Sequence, residues 1–199
     1  MRKSIVFTWL GLLLSGIIAL FWYNEWRYSL PTPVPVNYHT VNQGQHIDLP
    51  VNLKTDTGKP VLLHFFNPAC PCSRFNMPHF KSLVSQYGSS VNFAIVVMSN
   101  KKYTEKDIQQ KYNLDIPVLS DTLLAASCGV YSTPQAVIID ANRNLFYRGN
   151  YNKTRYCADK KTEFARIALD ELLHGNLGAT FDSLAVKAYG CELPVCTKQ

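Results

Sequence analysis

Residues 65–78 read FFNPACPCSRFNMP and place two thiols, Cys70 and Cys72, on either side of one proline. The apolar run at 60–66 is short and bounded by turn residues, so it predicts a buried strand. A helix is predicted to begin near Cys72 and to end near Tyr87. The thiols therefore lie where a strand gives way to a helix N-terminus, and backbone amides together with the helix dipole stabilise a thiolate at that position.

Outward from this stretch, strands and helices alternate along the chain. Strands are predicted at 46–51, 60–66, 91–98 and 116–119, and an antiparallel hairpin is predicted from 135–140 and 144–148. Helices are predicted from a capping box at 104–107 to Tyr112, from Asp121 to Cys128, and from Thr162 to His174. This order predicts an α/β fold, a three-layer sandwich whose central mixed sheet has helices on both faces.

The beginning of the chain carries a clear topological signal. Arg2 and Lys3 precede an uncharged run, 5–23, that is long enough to cross a bilayer as one helix. We predict an uncleaved anchor, because the apolar core of a cleaved signal peptide, the alternative, is usually shorter. The two N-terminal cations favour a cytoplasmic start. The main domain is then expected outside the cytoplasm, in a Gram-negative periplasm, with the anchor in the inner membrane.

These patterns divide the chain into four segments. Residues 1–29 are predicted to form a cytoplasmic stub and a transmembrane anchor, and residues 30–43, which include three alternating prolines, an extended spacer or a first edge segment. Residues 44–177 are predicted to form one folded domain, since 199 residues with 47% hydrophobic content can bury one ordinary core. Residues 178–199 are predicted to be a cysteine-containing tail packed on that domain.

Charge and cysteine content narrow the function classes. The net charge of +6 comes from Lys and Arg residues that are scattered along the chain, so nucleic-acid binding is not expected. The six cysteines suit an oxidising compartment, in which disulfides persist. Many complete pairings of six cysteines are open on the sequence alone.

Three features together carry a resemblance to a known family: the segment at 65–78, the tripeptide Ser132-Thr133-Pro134 directly before a strand, and the hairpin at 137–149. On these residues the chain from about Gly44 to Gly175 resembles the thioredoxin superfamily, and most of all the membrane-anchored, extracytoplasmic thiol-disulfide oxidoreductases of the TlpA/ResA type. The resemblance implies a thioredoxin-like fold, exchange of disulfides with partner proteins, and no cofactor.

The resemblance also assigns roles when Pro78 is matched to the family's helix proline. Cys70 then falls on the nucleophilic cysteine and Ser73 on the resolving position, where a hydroxyl would orient or stabilise Cys70. Cys72 lies one place earlier than the family's resolving thiol. Asn76 occupies the position at which these reductases often carry a glutamate that helps to move protons.

Thr133-Pro134 matches the cis-proline loop of the same family. In the family this loop lies beside the nucleophile and offers backbone groups to a substrate strand. We therefore expect the Thr133-Pro134 bond to be cis, Pro134 to lie close to Cys70, and Cys70 to be reachable from solvent.

The remaining cysteines divide into resolving and structural candidates. Cys72 is the leading candidate to resolve a mixed disulfide. Cys128 is the best remote candidate, although a small buried core residue is at least as good an interpretation. Cys157, Cys191 and Cys196 are predicted to be structural: either a local Cys191–Cys196 disulfide or a tether from Cys157 to Cys191 would staple the tail.

A metal site is the main alternative. Cys70 and Cys72, with Met77 and His79 nearby, offer soft ligands that suit Cu(I), and the copper-delivering thioredoxin-fold proteins of the Sco type give a precedent. The cysteines of those proteins are spaced more widely, however, and this chain has no histidine near Thr133. Met77 and His79 are more simply interpreted as one packing and one exposed helix residue.

Two weaker alternatives are a peroxiredoxin-like antioxidant and a non-catalytic thioredoxin-like binding module. Leu63 and Asn67 stand where the peroxiredoxin signature has proline and threonine, so peroxide would be poorly positioned for attack. A fold can also persist without its chemistry. The sequence thus predicts a membrane-anchored thiol-disulfide oxidoreductase that acts through Cys70 on extracytoplasmic protein thiols or disulfides.

Overall fold

The structure is a computed structural model that describes residues 2–194, except for the side chains at positions 2 and 27–29. It contains two compact units, one up to Leu30 and one from Pro31 onward. The first unit is a single helix, α1 (Arg2–Ser29). Its stretch Lys3–Trp26 is long and apolar enough to cross a membrane, judged by length and composition. A signal sequence meets the same criterion.

The second unit is built around a sheet of five strands, β1 (Val61–Phe66), β2 (Asn92–Val97), β3 (Val118–Leu119), β5 (Gln135–Ile139) and β6 (Leu145–Gly149). Their spatial order is β3-β2-β1-β5-β6. β1, β2 and β3 run parallel, whereas β5 pairs antiparallel with both β1 and β6. This mixed sheet, with a helical crossover between its parallel strands, is the thioredoxin-like arrangement that the sequence predicted.

Within residues 2–194 the remaining elements are the helices α2 (Pro71–Tyr87), α3 (Glu105–Tyr112), α4 (Thr122–Ser127), α5 (Phe164–Leu173) and α6 (Ser183–Val186), a 3₁₀ turn at Lys160–Thr162, and two short strands, β4 (Ser132–Thr133) and β7 (Cys191–Glu192). β4 and β7 pair with each other as a separate two-stranded sheet.

Apolar side chains cover both faces of the central sheet, as predicted. On one face Leu62 and Phe66 pack with α2 and α5, represented by Phe80 and Leu169. On the other face Leu63 and Phe65 pack with α4 and with the loop residues Val41, Ile47 and Leu53. Because β1 is central and covered on both faces, all six of its residues are buried.

Local sequence signals account for most element ends. Thr104 and Asp107 form the predicted capping box of α3, and the Asp121 carboxylate accepts the amides of Leu123 and Leu124 at the start of α4. The predicted cap of α5 is wrong. Glu163 occupies that position, and Thr162 is instead the last residue of a 3₁₀ turn, with its hydroxyl donating a hydrogen bond to Asn152 Oδ1 at 3.0 Å.

Two further predictions about the N-terminal part of the domain need correction. The strand predicted at 46–51 reduces to a single bridge between His46 and Asn144. The segment at 31–43 is not a free spacer, because it packs on the domain: Val41 lies in the core, Pro31 bridges Tyr189, and the Thr32 amide donates to the Ala188 carbonyl at 2.9 Å. The alternative of an edge segment describes its first residues better.

Candidate functional site

Cys70 is the N-cap residue of α2, directly after β1. Its backbone is extended, with φ −78° and ψ 124°, and Pro71 occupies the first turn of the helix. Proline suits that position because it needs no hydrogen bond from its nitrogen and its φ is already helical. The Arg74 amide donates to the Cys70 carbonyl at 3.2 Å. The side chain of Cys70 therefore lies at the positive end of the helix dipole.

The loop before Cys70 is held by Asn67 and Ser73. The Asn67 amide donates to Ser73 Oγ at 3.2 Å, the Cys70 amide donates to the Asn67 carbonyl at 3.0 Å, and the Ala69 amide donates to Asn67 Oδ1 at 2.9 Å. Ser73 is fully buried. Its hydroxyl thus acts on Cys70 through the loop backbone, as a positioning group.

The Thr133-Pro134 peptide bond is cis, as predicted. The Sγ atom of Cys70 lies 3.7 Å from the carbonyl oxygen of Thr133. Thr133 belongs to β4, so the loop that leads into β5 borders the N-terminus of α2. The expectation that this loop lies beside Cys70 is confirmed.

Cys70 forms a disulfide with Cys191, with a Cα–Cα distance of 6.2 Å. The predicted tether from Cys157 to Cys191 is therefore wrong, and the predicted local bond to Cys196 is excluded while Cys191 is bonded to Cys70; Cys196 itself lies outside the described residues. The expectation of a solvent-reachable Cys70 is also wrong for this oxidised form. Only 3% of Cys70 is exposed while it is bonded to Cys191.

The tail approaches Cys70 as a strand. In the antiparallel pair of β4 and β7, Ser132 lies opposite Glu192, and Thr133 lies opposite Cys191. The Ser132 hydroxyl, also fully buried, lies 3.2 Å from the Tyr189 carbonyl oxygen and 3.3 Å from that of Cys191. The disulfide is therefore one contact of a paired backbone segment.

Cys72 completes a group of three sulfur atoms. It is a fully buried thiol two residues after Cys70 in the first turn of α2. The Sγ atoms of Cys70, Cys72 and Cys191 all lie within 4.8 Å of one another. Thiolates in such a group can exchange a disulfide among themselves or, when all three are reduced, bind a soft metal ion.

Cys128 and Cys157 are not part of this group. Cys128 caps α4 and is fully buried in the core on the far face of the sheet, where burial raises the pKa of its thiol to about 12. The structure supports its interpretation as a core residue. Burial also raises the pKa of the Cys157 thiol to about 11, although a hydrogen bond from Asn76 Nδ2 at 3.0 Å opposes the shift. Neither thiol is disposed to ionise at neutral pH.

The residues proposed as extra copper ligands belong to the packing of α2. Met77 is buried in the core, as expected for a packing residue. His79 is partly buried rather than exposed, and its ring lies edge-on to Tyr151 with the centroids 5.9 Å apart. His64 is a fully buried core histidine whose Nδ1 lies 2.8 Å from the Tyr151 hydroxyl.

Cys191 is the site residue whose role the sequence analysis missed. The sequence signal for this role is the glycine directly before Cys191. In the structure Gly190 has φ +130°, a conformation that other residues rarely adopt. A Cβ at that position would also collide with the carbonyl oxygen of Thr133. The glycine before Cys191 therefore indicates a strand whose backbone lies close to another backbone, here that of Thr133.

Comparisons of sequence and of structure show which known proteins this chain is similar to. Over 120 residues the chain is 28% identical to the thiol:disulfide interchange protein TxlA homolog of Synechocystis sp. (strain ATCC 27184 / PCC 6803 / Kazusa). The match covers 55% of this chain and 66% of that relative, which is just under two thirds of its length.

Two solved structures share the fold at low sequence identity. The hypothetical protein SMc02350 from Sinorhizobium meliloti 1021 is 18% identical, with a TM-score of 0.62 over 78% of this chain and 96% of its own. An uncharacterized conserved protein from Geobacillus kaustophilus is also 18% identical, with a TM-score of 0.62 over 85% of this chain and 100% of its own.

A family model, described as "Domain of unknown function (DUF6436)", matches residues 38–195. The matched range contains the whole five-stranded sheet, Cys70, Thr133-Pro134 and Cys191. Because it covers more than half of the chain, the protein belongs to the DUF6436 family.

Proposed function

We propose that this protein is a thiol-disulfide oxidoreductase that exchanges disulfides with partner proteins through Cys70. One observation carries the proposal: Cys70 stands at a helix N-terminus, beside Thr133-Pro134, and is joined by a disulfide to a strand that pairs with Thr133. A structural disulfide needs none of this surrounding geometry. The similarity to a thiol:disulfide interchange protein supports the same function.

In the proposed reaction the reduced Cys70 thiolate attacks one sulfur of a partner disulfide. A mixed disulfide forms between Cys70 and the partner, and the second partner sulfur leaves as a thiolate. The edge of β4 at Thr133 pairs with the partner backbone, as β7 does in the oxidised protein. Ser73 holds the loop that orients Cys70. The reaction needs no cofactor.

Variants of single cysteines test this function. Cys70→Ser should abolish turnover of a protein disulfide such as insulin with a dithiol as the electron source. The matched control is Cys128→Ser, which removes a buried thiol on the opposite face of the sheet and should retain near-normal turnover. Full activity in Cys70→Ser would reject the proposed nucleophile.

We further propose that α1 anchors the protein in the inner membrane, with the domain in the periplasm. The charges at Arg2 and Lys3 and the apolar stretch Lys3–Trp26 support this orientation. A persistent Cys70–Cys191 disulfide also suits an oxidising space. The protein should stay in the membrane pellet after alkaline extraction, and protease added to spheroplasts should digest the domain. Release by alkali, or protection from protease, would contradict the anchor or its orientation respectively.

Copper binding is a second candidate function, favoured by the three sulfur atoms within 4.8 Å of one another. Reduction of the Cys70–Cys191 bond would provide three thiolates, a ligand set that suits Cu(I). The reduced protein would then bind one equivalent of Cu(I) in competition with a chromogenic chelator, and Cys72→Ser would weaken binding. Tight binding together with no disulfide exchange would favour this function over the first.

A further inference from the structure

The last described strand of the chain occupies the site that the proposed function assigns to a partner. β7 lies antiparallel to β4 and places Cys191 opposite Thr133, next to Cys70. We propose that Cys191 is the resolving cysteine of this protein, delivered to Cys70 by a tail strand that takes the place of the partner strand. This inference rests on the proposed function, because it assigns the second step of the same reaction.

The tail is firmly held up to Tyr189. Asn150 is almost fully buried, and its Nδ2 donates to the carbonyl oxygens of Leu184 at 2.8 Å and Lys187 at 2.7 Å. The Tyr189 hydroxyl donates to the Asn152 carbonyl at 2.5 Å. The Thr32 amide donates a hydrogen bond to the Ala188 carbonyl oxygen at 2.9 Å. The tail backbone is therefore held in place as far as Tyr189, two residues before Cys191.

Gly190 joins this anchored part to the strand that carries Cys191. Its φ of +130° lies in a region that residues with a side chain rarely adopt. The Thr133 carbonyl, which faces Cys70 Sγ at 3.7 Å, also blocks the space where a Cβ of residue 190 would stand. Glycine thus allows the tail backbone to approach Thr133 and offers a point about which Cys191 can swing away.

The resolving step needs no reagent besides the mixed disulfide and Cys191. In the mixed disulfide, Cys70 Sγ is bonded to a partner sulfur. The Cys191 thiolate attacks Cys70 Sγ, the Cys70–Cys191 bond forms, and the partner sulfur leaves as a thiolate that takes a proton from water. The partner has gained two electrons, and the two cysteines of this protein have lost them. Because the partner strand and β7 need the same edge of β4, formation of this bond also displaces the product.

The geometry favours Cys191 over Cys72 in this step. Cys70 and Cys72 are separated by Pro71 alone, so a disulfide between them would close a very short ring in a stretch of backbone that the proline makes rigid. Cys191 reaches Cys70 from another element, at a Cα–Cα distance of 6.2 Å that is ordinary for disulfides. Cys72 remains close enough to be the competing thiol, so the experiment must separate the two.

A single-turnover experiment on the reduced full-length protein in detergent separates the two steps. One equivalent of dithiobis-nitrobenzoate reacts with Cys70 and releases a first thionitrobenzoate, and mass spectrometry locates the adduct on Cys70. Attack by the resolving thiol then releases the second thionitrobenzoate. In Cys191→Ser we expect the first release to be unchanged and the second to slow by about 100-fold, because an intramolecular thiol is replaced by solution encounters. In Cys72→Ser both releases should keep their normal rates.

The two releases also distinguish failure of this inference from failure of the proposed function. A second release at the normal rate in Cys191→Ser, above all when Cys72→Ser abolishes it, would overturn the role of Cys191 and leave the nucleophile intact. Absence of the first release on Cys70 in the unmodified protein would reject the proposed function itself, and the resolving step with it. A far-UV circular dichroism spectrum identical to that of the unmodified protein shows that the Cys191→Ser variant is folded.

Gly190→Ala tests the approach of the strand without removing a thiol. The added methyl meets the Thr133 carbonyl, so the second release should slow by about tenfold or more while the first is unchanged. Gly178→Ala is the matched control, because Gly178 has open space around its Cβ position. Equal second-step rates in the two glycine variants would contradict delivery of Cys191 along the edge of β4.

Discussion

Thr133 and Cys191 lie opposite each other in the short antiparallel pair of β4 and β7. Thr133 precedes Pro134, and Cys191 is bonded to Cys70 at the N-terminus of α2. A backbone pairing and a covalent bond therefore act on the same tail residue. This combination indicates that the register of the tail strand, and not the disulfide alone, determines where Cys191 lies.

Asn150 is predicted to control how readily the tail returns to Cys70. Asn150→Ala removes two hydrogen bonds to the tail, at 2.8 and 2.7 Å, and the acceptor of the Tyr189 amide at 3.4 Å. We expect the second thionitrobenzoate release to slow by about tenfold, because the tail loses its fixed starting position. The first release should not change. Asn176→Ala is the control, since Asn176 is exposed and contacts Glu171 on α5. Equal rates in both variants would show that the tail needs no clamp at Asn150.

His64 is predicted to make the domain less stable in acid. Burial, and to a smaller extent the neighbouring His79, lower the pKa of His64 to about 3. Between about pH 6.5 and pH 3 the unfolded chain binds a proton at this histidine and the folded chain does not. The free energy of unfolding should therefore fall with decreasing pH, by up to about 1.4 kcal/mol per pH unit from this group.

Urea unfolding of His64→Phe at several pH values between neutrality and pH 4 measures this contribution. The replacement keeps an aromatic ring against Phe80, whose centroid lies 4.3 Å from that of His64. We expect a shallower dependence of the unfolding free energy on pH than in the unmodified protein. His39→Phe, at an exposed position, should keep the original slope. An unchanged slope in His64→Phe would show that other groups cause the acid sensitivity.

Gly129→Ala should destabilise the domain through both conformation and space. Gly129 has φ +68°, and an added Cβ would collide with the Arg148 guanidinium and lie 3.1 Å from Tyr38 Oη. Arg148 holds the N-terminal segment in place, because its Nη1 donates to Tyr38 Oη at 2.8 Å. We expect a loss of about 2–4 kcal/mol in unfolding free energy. Gly44→Ala has a similar φ of +84° and no neighbour within 4 Å, so it should cost only about 1 kcal/mol. Equal losses would show that the contact with Arg148 is unimportant.

Asn76 is predicted to be a structural residue despite its position in the family alignment. It is almost fully buried, and its Nδ2 donates to Cys157 Sγ. Asn76→Ala should lower the unfolding free energy by about 1–2 kcal/mol and leave the first thionitrobenzoate release from Cys70 within about twofold of normal. The exposed variant Asn37→Ala should alter neither quantity. A large decrease in the first release in Asn76→Ala would assign Asn76 to proton transfer after all.

The central part of the fold could be predicted because its signals are local. The run at 60–66 is apolar throughout, as a strand covered on both faces must be, and it became β1. Thr104 and Asp107 fix the start of α3 through their own side chains. The closeness of Cys70 to Thr133-Pro134 was expected from the family resemblance, and it holds because the pairing of β1 with β5 brings the end of β1 to the start of β5.

The tail could not be predicted in this way. β7 has only two residues, which is too short for a periodic pattern, and its partner β4 is equally short. The choice among disulfide pairings depends on which cysteines meet in space, and Cys70 and Cys191 are 121 residues apart. Sequence proximity favoured pairing Cys191 with Cys157 or Cys196, whereas backbone pairing with Thr133 directs it to Cys70.

The length of the loop that the Cys70–Cys191 disulfide closes affects the stability of the protein. A cross-link that closes a loop of 121 residues restricts the unfolded chain, and its removal costs about 5 kcal/mol of stability in the chain-entropy model. Each reduction of Cys70 would therefore loosen the whole domain as well as uncover the sulfur. The melting temperature of the protein therefore reports whether Cys70 and Cys191 are oxidised. In a cell that lacks oxidant, the protein would stay in its reduced form, which is the more sensitive to heat and to proteases.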